Sequence, residues 1–593
     1  MQTAVIERES TEELSVERSP TGHWSWICGA LIAAVVLCLA TNAVFDQNFI
    51  KNINDGVAYL DISHAVAAHH PEALLNAYWS PGYPVVLWAG LALLHPPPEL
   101  ELAAVYAIHW VVGILALGCL IYFVAGLPAA REKAGAFGLT RPMLVAAGCA
   151  LFVIAAEADV PVYLLTPDLL LAAWLWLAGG ALLRIGRRQR IRDYALLALA
   201  LAAAYFTKAV GLPLVMAALA ILPFLGANRR KAVLGILHFM AVAAILIVPY
   251  MAKLSAAKGR VTFGESGTLN YAWIVDGADG PNRWHLQSDS PHGHARMQLA
   301  HPARQLLKSP GVYEYASPVA GTFPTFDDPS YWNEGLRPTF YLKGQVWHIA
   351  MNLYHTASWL GRRGEFVIAL AVLLWMQRQF GAAGRLREIL PVLLWFTGLW
   401  GLYLLVDVED RYVFAALTAI LLLAAASVRL PDSSMMRRVV SAGVLILVCG
   451  AMLRPLDTAG QEVFYGVKRM FIGPVKAKAF GPYENPYWKI AQRLTGRMGL
   501  HASDQVACMQ LGCDNTYWAQ LAGLRITADI SSESDYWAAS PEDRARAMAA
   551  LAGVGVKALV TRNLGPGAES EGWIPISDPH ERPAEDLYAR LTK

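Results

Sequence analysis

Long apolar stretches recur along this 593-residue chain, and they constrain its fold more than any other feature. A hydrocarbon core about 30 Å thick is crossed by roughly 20 apolar residues in an α-helix. Stretches that approach this length lie at 24–44, 103–125, 141–157, 167–185, 194–208, 211–227, 232–251, 364–380, 389–405, 412–428 and 439–453. Only 16% of the residues are charged, against roughly a quarter in soluble domains. The sequence therefore predicts an α-helical polytopic membrane protein with about 11 transmembrane helices.

One further apolar stretch, at 81–95, is shorter than these spans. Prolines bound it, with Pro81 and Pro84 at its start and 96–98 after its end. Proline interrupts helices, so we predict a short interfacial helix here rather than a span. Counting it as a span would also break the charge pattern that sets the orientation.

Basic residues are concentrated in alternate loops between the predicted spans. Arg and Lys cluster at 131–141, 184–192, 229–231, 378–387 and 429–438, whereas the short loops between these clusters hold almost none. Basic loops remain in the cytoplasm. We therefore expect a multi-pass protein of the bacterial inner membrane, with a cytoplasmic tail at 1–23 and residues after 453 in the periplasm.

This orientation leaves three long regions outside the membrane. Two are the loops 45–102 and 252–345 of a transmembrane domain that covers 24–453, and the third is 454–593. The third region combines helical patterns at 487–497 and 540–552 with β-like runs at 505–509, 524–528 and 556–561. These patterns predict a small C-terminal α/β extracytoplasmic domain.

Two cysteines, Cys508 and Cys513, lie in this C-terminal region, five residues apart. The periplasm is oxidising, so a local disulfide is one outcome and two free thiols are the other. The remaining five cysteines lie in apolar stretches, where a thiol behaves as a small hydrophobe.

Ionisable residues at the outer ends of the predicted spans are the main functional candidates, because charge is costly near lipid. They are Asp55, Asp61, Glu157, Asp159, Asp168, Lys208, Asp407, Glu409, Asp410 and Arg411. For any single member, a solvated helix cap or loop charge is the alternative interpretation. Their common side of the membrane predicts that several converge on one site.

Asp55 follows the first span, where a carboxylate could deprotonate an incoming hydroxyl as a general base. A helix N-cap is the structural alternative. Lys208, at the membrane edge, requires a counter-anion, and a phosphate at the headgroup level would serve. A phosphate could likewise be the counter-anion of Arg411, and an ion pair with Asp407 or Glu409 is the structural alternative.

Aromatic residues are dense between 76 and 88 and include Tyr83. They could stack on a sugar, although an interfacial aromatic belt is the commoner explanation. Tyr59, one helical turn after Asp55, joins Tyr83 among the predicted substrate-binding residues.

Three histidines, His292, His294 and His301, lie in the string HGHARMQLAH within a Pro-rich outer loop. The sequence offers them no obvious carboxylate partner, so we predict no metal site there.

Four stretches resemble the GT-C glycosyltransferases, and within them the bacterial relatives of protein O-mannosyltransferases and of lipid A aminoarabinose transferases. INDGVAYLDISHAV resembles the first outer loop of that family, and NAYWSPGYPVVLW resembles the Pro/Tyr element that follows. TPDLLLAAWLWLAGGALLR with AAYFTKAVGLPLV resembles the paired middle spans and their Thr-Lys turn, and VEDRYVFAALTAILLLAA resembles a late Glu-x-Arg-Tyr span opening. The order of the four elements carries the resemblance.

The resemblance implies transfer of a hexosyl or pentosyl residue from a polyprenyl-phosphate donor to a lipid, glycan or protein acceptor at the outer face. By position, Asp55 would be the catalytic base and Asp168 a second acidic residue lining the site. Lys208 would lie near the donor phosphate, and Arg411 would be a second phosphate or substrate contact.

Two positions depart from the pattern of that family. Gly56 stands where many members carry a second carboxylate, and Ala209 follows the Thr-Lys turn in place of Gly. No cofactor is assigned, and a divalent metal ion at the first outer loop is left as an alternative. Expected partners are the lipid-linked donor, the acceptor and membrane lipids, but not nucleic acid.

Two other functions remain as alternatives, a lipid or solute transporter or flippase and a non-catalytic envelope-assembly protein. Transporters often place polar residues near the bilayer midplane and show inverted repeats. Here the ionisable residues gather at one membrane edge and the outer loops are large, which favours an enzyme.

Overall fold

A computed structural model of the protein describes residues 21–45, 53–128, 136–278, 296–315, 319–377, 383–472, 485–509, 513–577 and 586–592. Their α-helices are α1 (Thr21–Phe45), α2 (Ile53–Ala67), α3 (Gly82–Leu94), α4 (Glu101–Gly126), α5 (Arg141–Ala158), α6 (Asp168–Arg188), α7 (Ile191–Thr207), α8 (Gly211–Ile221), α9 (Arg229–Lys258), α10 (Ser266–Asn270), α11 (Pro324–Asp327), α12 (Pro329–Trp332), α13 (Leu342–Gly361), α14 (Gly364–Met376), α15 (Ala383–Leu404), α16 (Asp410–Ser427), α17 (Ser434–Ile472), α18 (Pro486–Gly496), α19 (Tyr517–Leu521), α20 (Glu533–Ala538) and α21 (Pro541–Gly553).

The β-strands in the described part of the chain are short. They are β1 (Ala136–Phe137), β2 (Arg296–Met297), β3 (Arg304–Leu307), β4 (Val312–Glu314), β5 (Leu336–Arg337), β6 (Leu430–Pro431), β7 (Gln505–Met509), β8 (Arg525–Ile530), β9 (Val556–Thr561), β10 (Ile574–Pro575) and β11 (Tyr588–Leu591).

Seven helices of the described part are long and apolar enough to cross a membrane, namely α1, α4, α5, α6, α9, α16 and α17. The predicted spans at 211–227, 364–380 and 389–405 coincide with shorter apolar helices. The predicted span at 194–208 coincides with α7, which has 17 residues. The chain is a multi-pass membrane protein with a helix at every predicted position, and the count of 11 spans stays a prediction.

The stretch predicted as an interfacial helix forms α3. This helix ends at Leu94, and it is followed by His95, whose backbone is left-handed with φ 46°, and by three prolines. Because proline lacks the amide hydrogen that a continuing helix needs, the chain cannot extend α3 toward the next span.

The last long helix differs from its prediction. α17 continues to Ile472, so the predicted domain boundary between 453 and 454 falls inside this helix. Within the described residues, the first element of the C-terminal domain is α18, which starts at Pro486 after the N-cap Asn485. The part of α17 after residue 453 mixes charged and apolar residues. Hydropathy alone therefore placed the end of the span before the end of the helix.

The helical core is centred on α6. The Trp176 side chain of this helix is fully buried, and its indole Nε1 donates a hydrogen bond of 3.1 Å to the carbonyl of Ala415 in α16. This bond ties together two helices whose first residues, Asp168 and Asp410, stand at the same end of the bundle. The core thereby fixes the relative position of the side chains that begin these helices.

The C-terminal domain contains a seven-stranded sheet with the order β10-β11-β9-β7-β8-β4-β3. β7 runs parallel to both β8 and β9, and the three predicted β-like runs correspond to these strands. The predicted α/β character is therefore confirmed. One correction concerns its origin, because β3 and β4 lie in the segment 252–345, which was predicted to be a loop of the transmembrane domain, and they extend the sheet beside β8.

The two cysteines of this domain, Cys508 and Cys513, form a disulfide with their Cα atoms 5.6 Å apart. Of the two outcomes left open by the sequence, the structure has the disulfide. It joins the end of β7 to the segment that leads into α19.

Candidate active site

Four helix ends meet at one end of the bundle, which we call the site end. The first turns of α2, α6 and α16 bring Asp55, Asp168 and Arg411 there, and the end of α7 brings Lys208. Asp168 opens α6 directly after Pro167, where a carboxylate faces the positive end of the helix dipole. Lys208 leaves the helical conformation with φ −157° and ψ 137°, which turns the chain toward α8.

The charged groups of these four residues lie within a few ångströms of one another. Lys208 Nζ donates a hydrogen bond of 2.7 Å to Asp168 Oδ1. Arg411 Nη1 lies 3.7 Å from Asp55 Oδ2, and Arg411 Nε lies 4.0 Å from Asp168 Oδ2. The structure thus brings together the four charged residues that the sequence nominated, although they are separated by up to several hundred residues.

Glu409 is a fifth member of this cluster. Its Oε2 atom accepts a hydrogen bond of 2.5 Å from Arg411 Nε, and its side chain is 45% exposed. Sequence reasoning included Glu409 in the candidate pool but omitted it from the site. Arg411 therefore faces carboxylates from α2, from α6 and from the turn before its own helix.

Tyr412 is a site residue that sequence reasoning missed. Lys208 Nζ lies 3.8 Å from the centre of its ring, and its hydroxyl accepts a hydrogen bond of 2.9 Å from Arg411 Nη2. The ring of Tyr403 also stacks on it, at a centroid distance of 5.2 Å. A cation above an aromatic face is attracted to it, so Tyr412 holds both cations. The Glu-x-Arg-Tyr stretch contained this residue, which was the available signal.

Asp55 is the more accessible of the two carboxylates that α2 and α6 bring to Arg411. Its side chain is 35% exposed, compared with 1% for Asp168 and 11% for the Arg411 side chain. Burial raises the pKa of Asp55, while the Arg411 guanidinium opposes that rise. A carboxyl that is reachable and less acidic than usual is suited to accepting a proton.

The two predicted substrate-binding tyrosines lie behind Asp55. Tyr59 is 4% exposed, and its ring packs edge-on against Trp79 and Tyr83 at centroid distances of 4.8 and 4.9 Å. The Tyr83 hydroxyl lies 2.6 Å from His109 Nε2, and Tyr83 is 1% exposed. Direct contact with a substrate would require this layer to open, so their substrate-binding role stays a prediction.

Other ionisable candidates serve contacts away from the cluster. Asp61 accepts two hydrogen bonds of 2.9 Å from Thr322, one from its backbone N–H and one from its hydroxyl. Asp159 forms a fully buried ion pair with Arg363. Asp410 lies 2.5 Å from Arg362. These residues fasten outer segments to the bundle.

The histidine string is described in part. His292 and His294 lie outside the described residues, whereas His301 stacks on Tyr331 and its Nε2 atom lies 3.1 Å from Glu334 Oε2. The expectation that His301 lacks a carboxylate partner is therefore wrong, because Glu334 reaches it from 33 residues downstream. Among the described residues, no three or more His, Cys, Asp or Glu side chains are grouped to hold a metal ion.

The packing around Gly56 explains why this position does not carry the second carboxylate that the family pattern has there. A Cβ atom at this position would lie 2.5 Å from the Cβ of Leu165, inside normal contact distance. The helix α2 can approach Leu165 only because position 56 has no side chain. A second carboxylate beside Asp55 does not fit in this arrangement.

We predict that Gly56→Ala lowers the free energy of unfolding by about 1–3 kcal/mol, because overpacking forces α2 away from Leu165. The measurement is the thermal unfolding temperature of the purified protein in detergent. Gly443→Ala is the matched control, since its Cβ meets no atom within 4 Å. Equal unfolding temperatures for the two variants would contradict the tight contact at Gly56.

Comparison with known proteins finds similarity in structure only. No protein-family model and no curated protein sequence matches the chain. The structure of ArnT from Cupriavidus metallidurans in the apo state superposes with a TM-score of 0.51 at 11% identity, covering 97% of this chain and 99% of ArnT. ArnT bound to undecaprenyl phosphate gives a TM-score of 0.51 at 12% identity, with the same coverage.

A further match is the oligosaccharyltransferase AglB from Archaeoglobus fulgidus, in complex with an inhibitory peptide and a dolichol-phosphate. It has a TM-score of 0.47 at 12% identity and covers 91% of this chain and 70% of AglB. At such identities the ArnT superposition establishes the fold. The chain shares the fold of ArnT over nearly its whole length.

Proposed function

We propose that the protein is a membrane glycosyltransferase that moves a sugar from a polyprenyl-phosphate donor to an acceptor at the extracytoplasmic face. The observation that carries the proposal is the meeting of Asp55 with Lys208 and Arg411 at the site end. A proton acceptor and two cations in one cluster are the groups that such a transfer needs. The ArnT fold supports the proposal, because ArnT has been crystallised with undecaprenyl phosphate.

In the proposed reaction, Asp55 accepts the proton of the acceptor hydroxyl as its oxygen attacks the anomeric carbon of the sugar. The bond from that carbon to the donor phosphate oxygen breaks, and its electron pair stays on the phosphate. Cations placed where this negative charge develops lower the barrier. A single displacement of this kind inverts the configuration at the anomeric carbon.

Lys208 is the cation best placed to meet the phosphate. An ammonium group has three donor hydrogens, and Asp168 Oδ1 takes one of them at 2.7 Å. The Lys208 side chain is 24% exposed, so part of it can be reached from outside the protein. The position at a helix end puts this charge near the headgroup level, where the phosphate of a membrane-anchored donor lies.

The direct test is transfer of label from synthetic polyprenyl-phosphate sugars, in a panel of hexoses and pentoses, to a cell-envelope extract that supplies the acceptor, by the purified protein in nanodiscs. We expect label to appear on an envelope acceptor together with free polyprenyl phosphate. Glycolipids and glycans extracted from a deletion strain should lack the same sugar, and complementation should restore it.

The alternatives give different results in this assay. A flippase would move the intact labelled lipid between leaflets and release no polyprenyl phosphate. A non-catalytic assembly protein would do neither. The proposal fails if no donor of the panel is consumed and the deletion strain keeps all of its envelope sugars.

A further inference from the structure

Helix α13 has a polar face turned toward the protein. Gln345, Asn352 and Thr356 are 8%, 3% and 6% exposed, and they recur on one side of the helix. The side-chain amide of Asn352 donates a hydrogen bond of 3.0 Å to the carbonyl of Leu404. It also accepts a hydrogen bond of 3.1 Å from the backbone N–H of Val408. Buried polar groups with such partners are stable in place.

These contacts fix the turn that leads into Arg411. In addition to the two hydrogen bonds of Asn352, Gln345 Nε2 donates a hydrogen bond of 2.8 Å to the carbonyl of Leu405. At the other end of α13, Trp359 Nε1 donates a hydrogen bond of 3.0 Å to Asp159 Oδ2, and Asp159 directly follows the last residue of α5. The helix therefore runs across the ends of α15, α16 and α5 at the site end of the bundle.

The opposite face of α13 is apolar and exposed. Large side chains on this face are Leu342, Val346, Trp347, Leu353 and Tyr354, which are 64%, 58%, 62%, 45% and 66% exposed. With 3.6 residues per turn, they form one continuous stripe. Lys343, in the first turn, is the cation on this side of the helix.

This arrangement reverses that of a helix on a water-soluble surface. Such a helix turns its apolar stripe to the core and its polar face to water. In α13 the polar face is buried and satisfied, and the apolar face points outward. The adjoining helix α14 continues the surface with Ile368, Val372 and Trp375 at 65%, 48% and 68% exposure.

We propose that the outward face of α13 is a lipid-binding surface, and that the helix lies in the plane of the membrane boundary at the site end. Its aliphatic side chains reach the acyl chains of the bilayer. Trp347, Tyr354 and Lys343 are the residue types that favour the headgroup level, where a ring or a long stem is apolar and its tip is polar. The inner face of α13 holds the turn before Arg411. Contact between lipid and the outer face of α13 therefore sets the depth of Arg411 relative to the membrane.

The hydropathy of α13 conceals this surface, because the polar inner face lowers the average over all 20 residues. The helix is accordingly absent from the membrane-crossing candidates of the described residues. The inference concerns where α13 lies and holds whether or not the protein transfers a sugar.

Single cysteines test this placement in the full chain. They are introduced as Val346→Cys and Leu353→Cys in the apolar stripe, and as Ala357→Cys at a small residue that is also exposed on α13. The background variant lacks the five cysteines outside the disulfide, Cys28, Cys38, Cys119, Cys149 and Cys449, and keeps the disulfide. Each is labelled with an environment-sensitive fluorophore and placed in nanodiscs that contain spin-labelled lipid. Ile368→Cys in α14 is the lipid-facing control, and Glu542→Cys in α21 is the water-facing control.

We expect lipid quenching at the three α13 positions within about twofold of that at Ile368→Cys, and iodide quenching at least about threefold weaker than at Glu542→Cys. Iodide quenching equal to that at Glu542→Cys would overturn the proposal. Protection from both quenchers would also overturn it, since a protein partner or a second copy would then cover the face. Three positions keep the test decisive if one variant misfolds.

Discussion

Replacing Asp55 by Asn is expected to lower the rate of sugar transfer by about 10²- to 10⁴-fold, the usual contribution of a general base. Asparagine has nearly the same shape as aspartate but cannot accept the acceptor proton. Arg411 keeps its contacts with Glu409 and Asp168 in this variant, at 2.5 and 4.0 Å in the present structure. We therefore expect the affinity for the polyprenyl phosphate to change by less than about threefold.

Turnover and lipid binding are measured separately for this variant. Turnover comes from transfer of labelled sugar, and binding comes from titration with polyprenyl phosphate in detergent micelles. Glu72→Gln is the matched control, because Glu72 is a carboxylate of the same outer loop with 68% side-chain exposure. Normal turnover by Asp55→Asn would remove Asp55 from the mechanism and leave the fold assignment untouched.

The pH dependence of the wild-type protein follows from the same residue. A general base works only when ionised, so transfer should rise with pH as the Asp55 carboxyl loses its proton. Burial raises the pKa of Asp55 above the usual range for aspartate, so this rise should extend to higher pH than for an exposed aspartate. The residual activity of Asp55→Asn should lack this rise.

The sidedness of the charged residues made much of the site predictable from sequence. Asp55, Asp168, Lys208 and Arg411 each stand at the end of an apolar stretch, and the alternation of basic loops places those ends on one side. Helices that cross the same bilayer side by side must bring such ends near one another. Which groups pair depends on rotation and packing of the helices. The sequence offered Glu409 only as one of two alternative partners of Arg411, and it did not predict the contacts of Tyr412 with Lys208 and Arg411.

Other features depended on contacts between distant parts of the chain. The strands β3 and β4 are too short and too polar to signal that they join a sheet formed almost 200 residues later. Helix α13 was missed because its polar residues are buried and its apolar residues exposed, the reverse of the usual pattern. The sequence showed that Gly56 departs from the pattern of the family that it resembles. The reason is visible only in the structure, where a Cβ atom at position 56 would lie 2.5 Å from the Cβ of Leu165.

Replacing Lys208 by Ala is expected to weaken binding of polyprenyl phosphate by about tenfold or more, the value of a charge-assisted hydrogen bond of about 1.5–3 kcal/mol. The same change also removes the hydrogen-bonded cation of Asp168, whose side chain is 1% exposed, and leaves Asp168 with Arg411 Nε at 4.0 Å. Removal of one partner from a buried ion pair is destabilising by up to about 3–5 kcal/mol. A loss of donor binding in this variant alone would therefore have two explanations.

The double variant Lys208→Ala with Asp168→Asn separates them. An amide at position 168 does not leave a buried charge, so the unfolding temperature should recover toward that of the wild type. The donor phosphate still lacks its ammonium partner, so binding of polyprenyl phosphate should stay weak by about tenfold. If stability and donor affinity recover together, Lys208 serves the fold by neutralising Asp168, and Arg411 with Tyr412 must then hold the phosphate without it.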